Sequence, residues 1–144
     1  MAIVQTMCTS FKAEVAQALH NFTTGTGDVF KLALYVSTAT LGADTTVYTS
    51  SGEVSSSGTN YTAGGATLTN ITPVTSGTTA YWSFQDVTFS NVTLTCAGAL
   101  IYNSSKANRA VCVLNFGQTI TKSASNLIIT FPPMGATDSV LRIA

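Results

Sequence analysis

The sequence predicts an all-β fold: an antiparallel β-sandwich of jelly-roll or immunoglobulin-like type, with one short N-terminal α-helix. Three observations point there. About 40 of the 144 residues are serine or threonine, and the branched Cβ of threonine suits a pleated surface. Apolar runs of strand length recur at short intervals, separated by the turn compositions GTT, SN (Ser90–Asn91), NSSKAN and GATD. Only one stretch carries a helical period. With 45% hydrophobic residues, a chain of this length can bury a core of its own.

That helical stretch is residues 10–20. Phe11, Val15, Ala18, Leu19 and Phe22 recur at spacings of three and four, which places them on one face. Ser10 is the expected N-cap, Glu14 falls in the first turn, and His20 lies near the negative end. TTGTGD stops the helix with two glycines. The run VFKLALYVS then alternates, with Phe30, Leu32, Leu34 and Val36 on one face and Lys31 on the other, so a strand follows the helix and is expected to receive it.

From Thr38 to about Thr67 the chain is polar, with Leu41, Val47, Tyr48, Val54 and Tyr61 as its apolar anchors. Further strands are read at ATLTNI, AYWSFQDVTFS, VTLTCAGALIYN, RAVCVLNFGQ, NLIITFP and SVLRIA. A bulge is expected near Gln85–Asp86, and the VCVL and LIIT runs read as buried on both faces. Residues 10–144 are expected to form one domain. Residues 1–9 are apolar and uncharged, and read as an arm that reaches onto a neighbour as an added strand.

Charge limits the function. Charged residues make up 8% of the chain and balance to zero, against about 25% in an ordinary soluble domain. Little repulsion keeps such molecules apart, so the surface leans toward association. The six basic residues are scattered and form no stripe that would hold nucleic acid. The N-terminus has no basic region followed by an unbroken apolar run, and no stretch is long enough to span a membrane as a helix.

Reactive groups are few. Cys8, Cys96 and Cys112 are odd in number and lack CxxC spacing, so neither a disulfide framework nor a zinc site is indicated; a Cys96–Cys112 bridge across neighbouring strands is the one pairing to check. His20 is the sole histidine, and a triad would need an oriented carboxylate and an activated nucleophile beside it. Asp44, Glu53 and Asp86 make a thin set for paired-acid chemistry; Asp44 reads as a turn cap and Asp28 as the start of a strand. No phosphate loop or calcium loop is present, and no cofactor is expected. Five N-x-[ST] sequons begin at Asn21, Asn60, Asn70, Asn91 and Asn103; with hydroxyl residues this frequent a couple of matches arise by chance, and with no signal peptide expected, glycosylation is not the reading. Tyr35, Tyr48, Tyr61, Tyr81, Trp82 and Tyr102 could build a carbohydrate-binding face, although aromatic residues in alternating runs ordinarily pack.

The segment TSSGEVSSSGTNYTAGG, Thr49–Gly65, has one charge and four glycines. It is either a linker or an ordered excursion between strands, and the regular placement of Tyr48, Val54 and Tyr61 favours order.

Several segments together resemble a group of small virion structural proteins of tailed bacteriophages: SFKAEVAQALHNF, DVFKLALYVSTATLGADTTVYTSSGEVSSSGTNYTAGGATL, GALIYNSSKANRAVCVLNFG and the terminal FPPMGATDSVLRIA. The resemblance covers nearly the whole chain. It implies a virion part without enzymatic activity, made in the host bacterial cytoplasm, with a capsid decoration or cement protein as the leading expectation. Its partners would then be the major capsid protein and copies of itself. The contact residues expected are Ile3, Val4, Met7, Tyr48, Val54 and Tyr61. The alternatives are a tail, neck or fibre-associated component and, third, a carbohydrate-binding attachment module.

Overall fold

The computed structural model describes residues 2–144. It is an all-β sandwich-like fold, two antiparallel sheets with one short helix. The larger sheet has five strands in the order β1 (Thr6–Met7), β7 (Arg109–Ile129), β6 (Val87–Asn103), β2 (Phe30–Tyr35) and β3 (Ala66–Thr67). The smaller has β4 (Asn70–Ser76), β5 (Thr79–Phe84) and β8 (Leu141–Ile143). An aromatic seam joins them. Phe30 of β2 stacks on Phe22 at 4.3 Å and lies 5.7 Å from Phe84 of β5. Phe22 also reaches Trp82 at 5.2 Å, and Phe84 meets Phe131 at 5.9 Å.

The helix α1 is shorter than expected, Thr9–Ala16. Its N-cap is Cys8, with no side-chain capping bond, so Ser10 lies inside the helix. The chain leaves it through a Schellman motif: Leu19 N donates to Glu14 O at 3.0 Å and Ala18 N to Val15 O at 3.1 Å. Ala18 is left-handed, φ 58°, a conformation that favours glycine. His20 and Phe22 therefore lie beyond the helix. Ala18 is exposed, so Ala18→Gly is expected to stabilise the protein by about 1 kcal/mol, because the left-handed penalty outweighs glycine's extra chain entropy. Urea denaturation measures it, and an unchanged or lower midpoint would contradict it.

The strand boundaries differ most in β5, β6 and β7. AYWSFQDVTFS is two strands, broken at Gln85–Asp86. VTFS and VTLTCAGALIYN are one strand of 17 residues that passes through the expected Ser90–Asn91 turn; Asn91, left-handed at φ 51°, makes an irregularity there and not a reversal. RAVCVLNFGQ and NLIITFP likewise merge into the 21 residues of β7. LIIT is not buried on both faces: Leu127 and Ile129 are, but Ile128 is 57% exposed. β2 is covered on both faces, since Ala33 and Tyr35 are as buried as Leu32 and Leu34.

Residues 2–9 do not leave the body; Met1 lies outside the described residues. Ile3 bridges Leu41, and Thr6–Met7 pair with Val113 and Cys112 of β7. Asn115 donates its Nδ2 to Ile3 O at 2.9 Å and its backbone N–H to Gln5 Oε1 at 3.0 Å. A Cβ on Gly98 of β6 would stand 2.9 Å from two Ile3 methyl carbons. The missing side chain of Gly98 is thus the notch that Ile3 fills.

Candidate interaction face

The segment 49–65 is an ordered strap. Its sole charge holds it. Glu53 Oε1 accepts from Tyr61 Oη at 2.7 Å and from Gly64 N at 2.7 Å, and Oε2 accepts from Tyr48 Oη at 2.5 Å. Tyr61 Oη in turn accepts from Leu34 N of β2 at 3.0 Å. Tyr102 donates to Gly64 O at 2.6 Å, Tyr35 to Thr49 O at 2.6 Å, and the Tyr48 and Tyr102 rings stack at 4.8 Å. The far end reaches β6: Thr93 N donates to Thr59 O at 2.9 Å, Asn60 Nδ2 to Ser90 O at 3.0 Å, and the Tyr61 ring lies 5.7 Å from Phe89. Between these anchors Ser55, Ser56, Ser57 and Gly58 are exposed. A rigid, uncharged, hydroxyl-rich surface results.

The same network sets an alkaline limit. Burial, and after it Glu53, pushes the Tyr102 phenol up to about 12. Burial first, with Glu53 further down the causes, drives Tyr35, Tyr48 and Tyr61 still higher. In the unfolded chain these phenols ionise near pH 10, so above that pH the unfolded state binds fewer protons than the folded one. Stability is therefore fully present below about pH 10 and falls as pH rises through and beyond it. Melting followed from about pH 8 to about pH 11 is expected to show a plateau and then a steep loss; a flat profile would contradict it.

A second polar cluster lies where α1 meets the β6–β7 turn. Glu14 is buried; it pairs with Arg109 Nη1 at 2.7 Å and with His20 Nε2 at 2.9 Å. His20 Nδ1 lies 3.0 Å from Asn103 Nδ2, which also donates to Asp28 Oδ2 at 2.8 Å. The amide donates on one side and the carboxylate accepts on the other, which places the imidazole proton on Nε2. Both ring nitrogens are engaged and the side chain has no exposure, so the cluster ties the helix end to the sheet. Asp28 serves here as an acceptor for Asn103 and for Asn21 N, beyond the strand start expected of it.

The expected contact residues divide. Ile3, Val54 and Tyr61 are buried in the chain's own core and are withdrawn as contacts: Ile3 by the Gly98 notch, Val54 by its backbone bond to Leu34 O, Tyr61 by Glu53 and Phe89. Met7 and Tyr48 are half-buried, and Val4 is 56% exposed. Tyr35, Trp82 and Tyr102 are buried as well, so no broad aromatic platform for a sugar forms from the tyrosines and tryptophan. The three cysteines are free; Cys96 faces Ile120 and Cys112 faces Ile101, which removes the bridge between them. Among the described residues no group of three histidine, cysteine, aspartate or glutamate side chains could hold a metal ion.

A groove of about 580 Å³ runs beside β1 and the outer edge of β7, lined by Met7, Leu114, Phe116, Ile120, Ile128 and Val140 among others. It is mainly apolar. Comparison of the chain with protein-family models, curated proteins and solved structures finds no match.

Proposed function

We propose that this chain is a non-enzymatic structural protein of a tailed-bacteriophage virion, a decoration or cement protein that binds across major capsid subunits. The Glu53 clasp is the observation that carries the reading. A long stretch of small hydroxyl residues is held rigid by four tyrosines and one carboxylate, which a solvated linker would not need. Rigid surface costs little ordering entropy when it docks, and a nearly uncharged contact is little screened by salt. Many copies bound to the assembled shell and not to its separated parts stabilise the shell by mass action. The resemblance of the sequence to phage virion proteins supports the same reading.

The test uses shells stripped of the protein. They are expected to rupture at a lower temperature than complete shells, and added purified protein is expected to restore the loss in proportion to occupancy. Equal rupture temperatures with and without the protein would remove the cement role. A sparse location at the neck or tail would favour the second reading, a tail, neck or fibre-associated part.

A further inference from the structure

β7 carries a long unpaired edge. Its outer side is paired by β1 only at Cys112 and Val113, and among the described residues no strand covers it from Phe116 to Ile129. Natural sheets protect such an edge with charges and bulges, or use it. Here residues 115–131 hold a single charge, Lys122, and the edge borders the apolar groove. Ile128 is 57% exposed on it.

We propose that this edge is a two-fold contact between copies of the chain, with β7 of one lying antiparallel to β7 of the other. The alternation along β7 fits such a pairing. Ile120 and Lys122 lie opposite Cys96 and Leu94 of β6, while Leu127 and Ile129 lie opposite Phe89 and Val87. These β6 residues are all buried, so the four β7 residues share the covered face. Between the two pairs Ala124 is left-handed, φ 46°, and β6 and β7 shift register in this region. The shift moves the alternation by one. A two-fold axis between Ala124 and Ser125 then sets Ile120 against Ile129 of the second copy and Lys122 against its Leu127, covered face matching covered face. On the other face Ile128 meets Thr121 of the second copy and leaves solvent.

Charge selects the occupant. Asp138 lies on the loop that follows β7 and is the groove's one charged lining residue. Among the described residues neither Lys122 nor Asp138 has an ion pair within the chain. Asp138 shares the groove with Leu127 and Ile129, and the antiparallel arrangement sets Lys122 of the second copy against Leu127, so it carries the lysine to a groove whose one charge is opposite. A chain with no net charge meets no general repulsion in doing so. The contact goes beyond the virion reading and stands or falls on the isolated protein.

Sedimentation velocity of the purified protein tests it. A concentration-dependent dimer is expected. Ile128→Lys and Lys122→Asp, both at positions that are not fully buried, are each expected to weaken it at least about tenfold, and Lys122→Asp with Asp138→Lys to restore it. Ser125→Cys, beside the axis, is expected to give a covalent dimer on mild oxidation with diamide. A monomer at all concentrations would overturn the proposal and leave the edge to a strand from another protein. So would a dimer indifferent to Ile128→Lys, or Ser125→Cys chains that stay uncrosslinked.

Discussion

Replacing Gly65 by alanine is expected to cost about 4 kcal/mol or more, among the largest effects of a single substitution. Gly65 is left-handed, φ +84°, and a Cβ there would stand 1.9 Å from Leu32 O and 2.7 Å from Ala33 Cα. Both belong to β2, whose Leu32 pairs with Ala66 of β3 immediately after the glycine. Relief requires the strap end or the central strand to move, and β2 is buried on both faces. The melting temperature should fall by about 10 °C or more for a chain of this size. Gly58→Ala is the control: it is also left-handed, φ +71°, but nothing lies within 4 Å of its Cβ. It should lose only the conformational term, about 1 kcal/mol. Equal losses for the two variants would show that the close approach to β2 is misplaced.

Glu53→Ala is expected to cost about 3 kcal/mol, since it leaves two phenols and one backbone N–H without their acceptor. Its effect should concentrate in the strap. Limited proteolysis of the variant is expected to cut between Ser51 and Asn60, where the parent chain resists. Glu53→Gln keeps the shape and one acceptor oxygen, so its loss should be about 1 kcal/mol. Ready cleavage of the parent chain at those bonds would contradict the clasp outright, and equal losses in the two variants would show that the one acceptor oxygen glutamine keeps holds nothing.

How far the sequence reached follows from which interactions are local. The all-β class, the helix followed by β2, and the pinned strap were legible because they rest on period, turn composition and regularly spaced anchors. Tyr48 and Tyr61 pin the strap through Glu53, and Val54 through Leu34 O, at the positions their spacing marks. The same property withdraws Val54 and Tyr61 as contacts, since a side chain that anchors a loop inward has little surface left for a neighbour. Glu53 was hidden in plain view: a lone acid in a bland loop signals a buried partner only when the tyrosines that meet it are known, and Tyr61 and Tyr48 are assigned to it by folding. The N-terminal segment was misplaced for a similar reason. It reads as coreless alone, and its core is supplied by Gly98, whose absent side chain is invisible as a cavity until β6 and the N-terminal segment are side by side. Asn91 and Ala124 carry another lesson. The Ser90–Asn91 turn signal became a kink inside one long strand, because β6 and β7 hold each other in register on both sides of the irregularity.

Quantitative mass spectrometry of purified virions, giving copies relative to the major capsid protein, bears most directly on the proposed role. A ratio near one, or a simple fraction of it, is the result expected of a protein spread over the head lattice. A ratio of a few copies per particle would contradict the cement assignment and move the protein to the neck or tail. Its absence from the particle would contradict the virion role altogether.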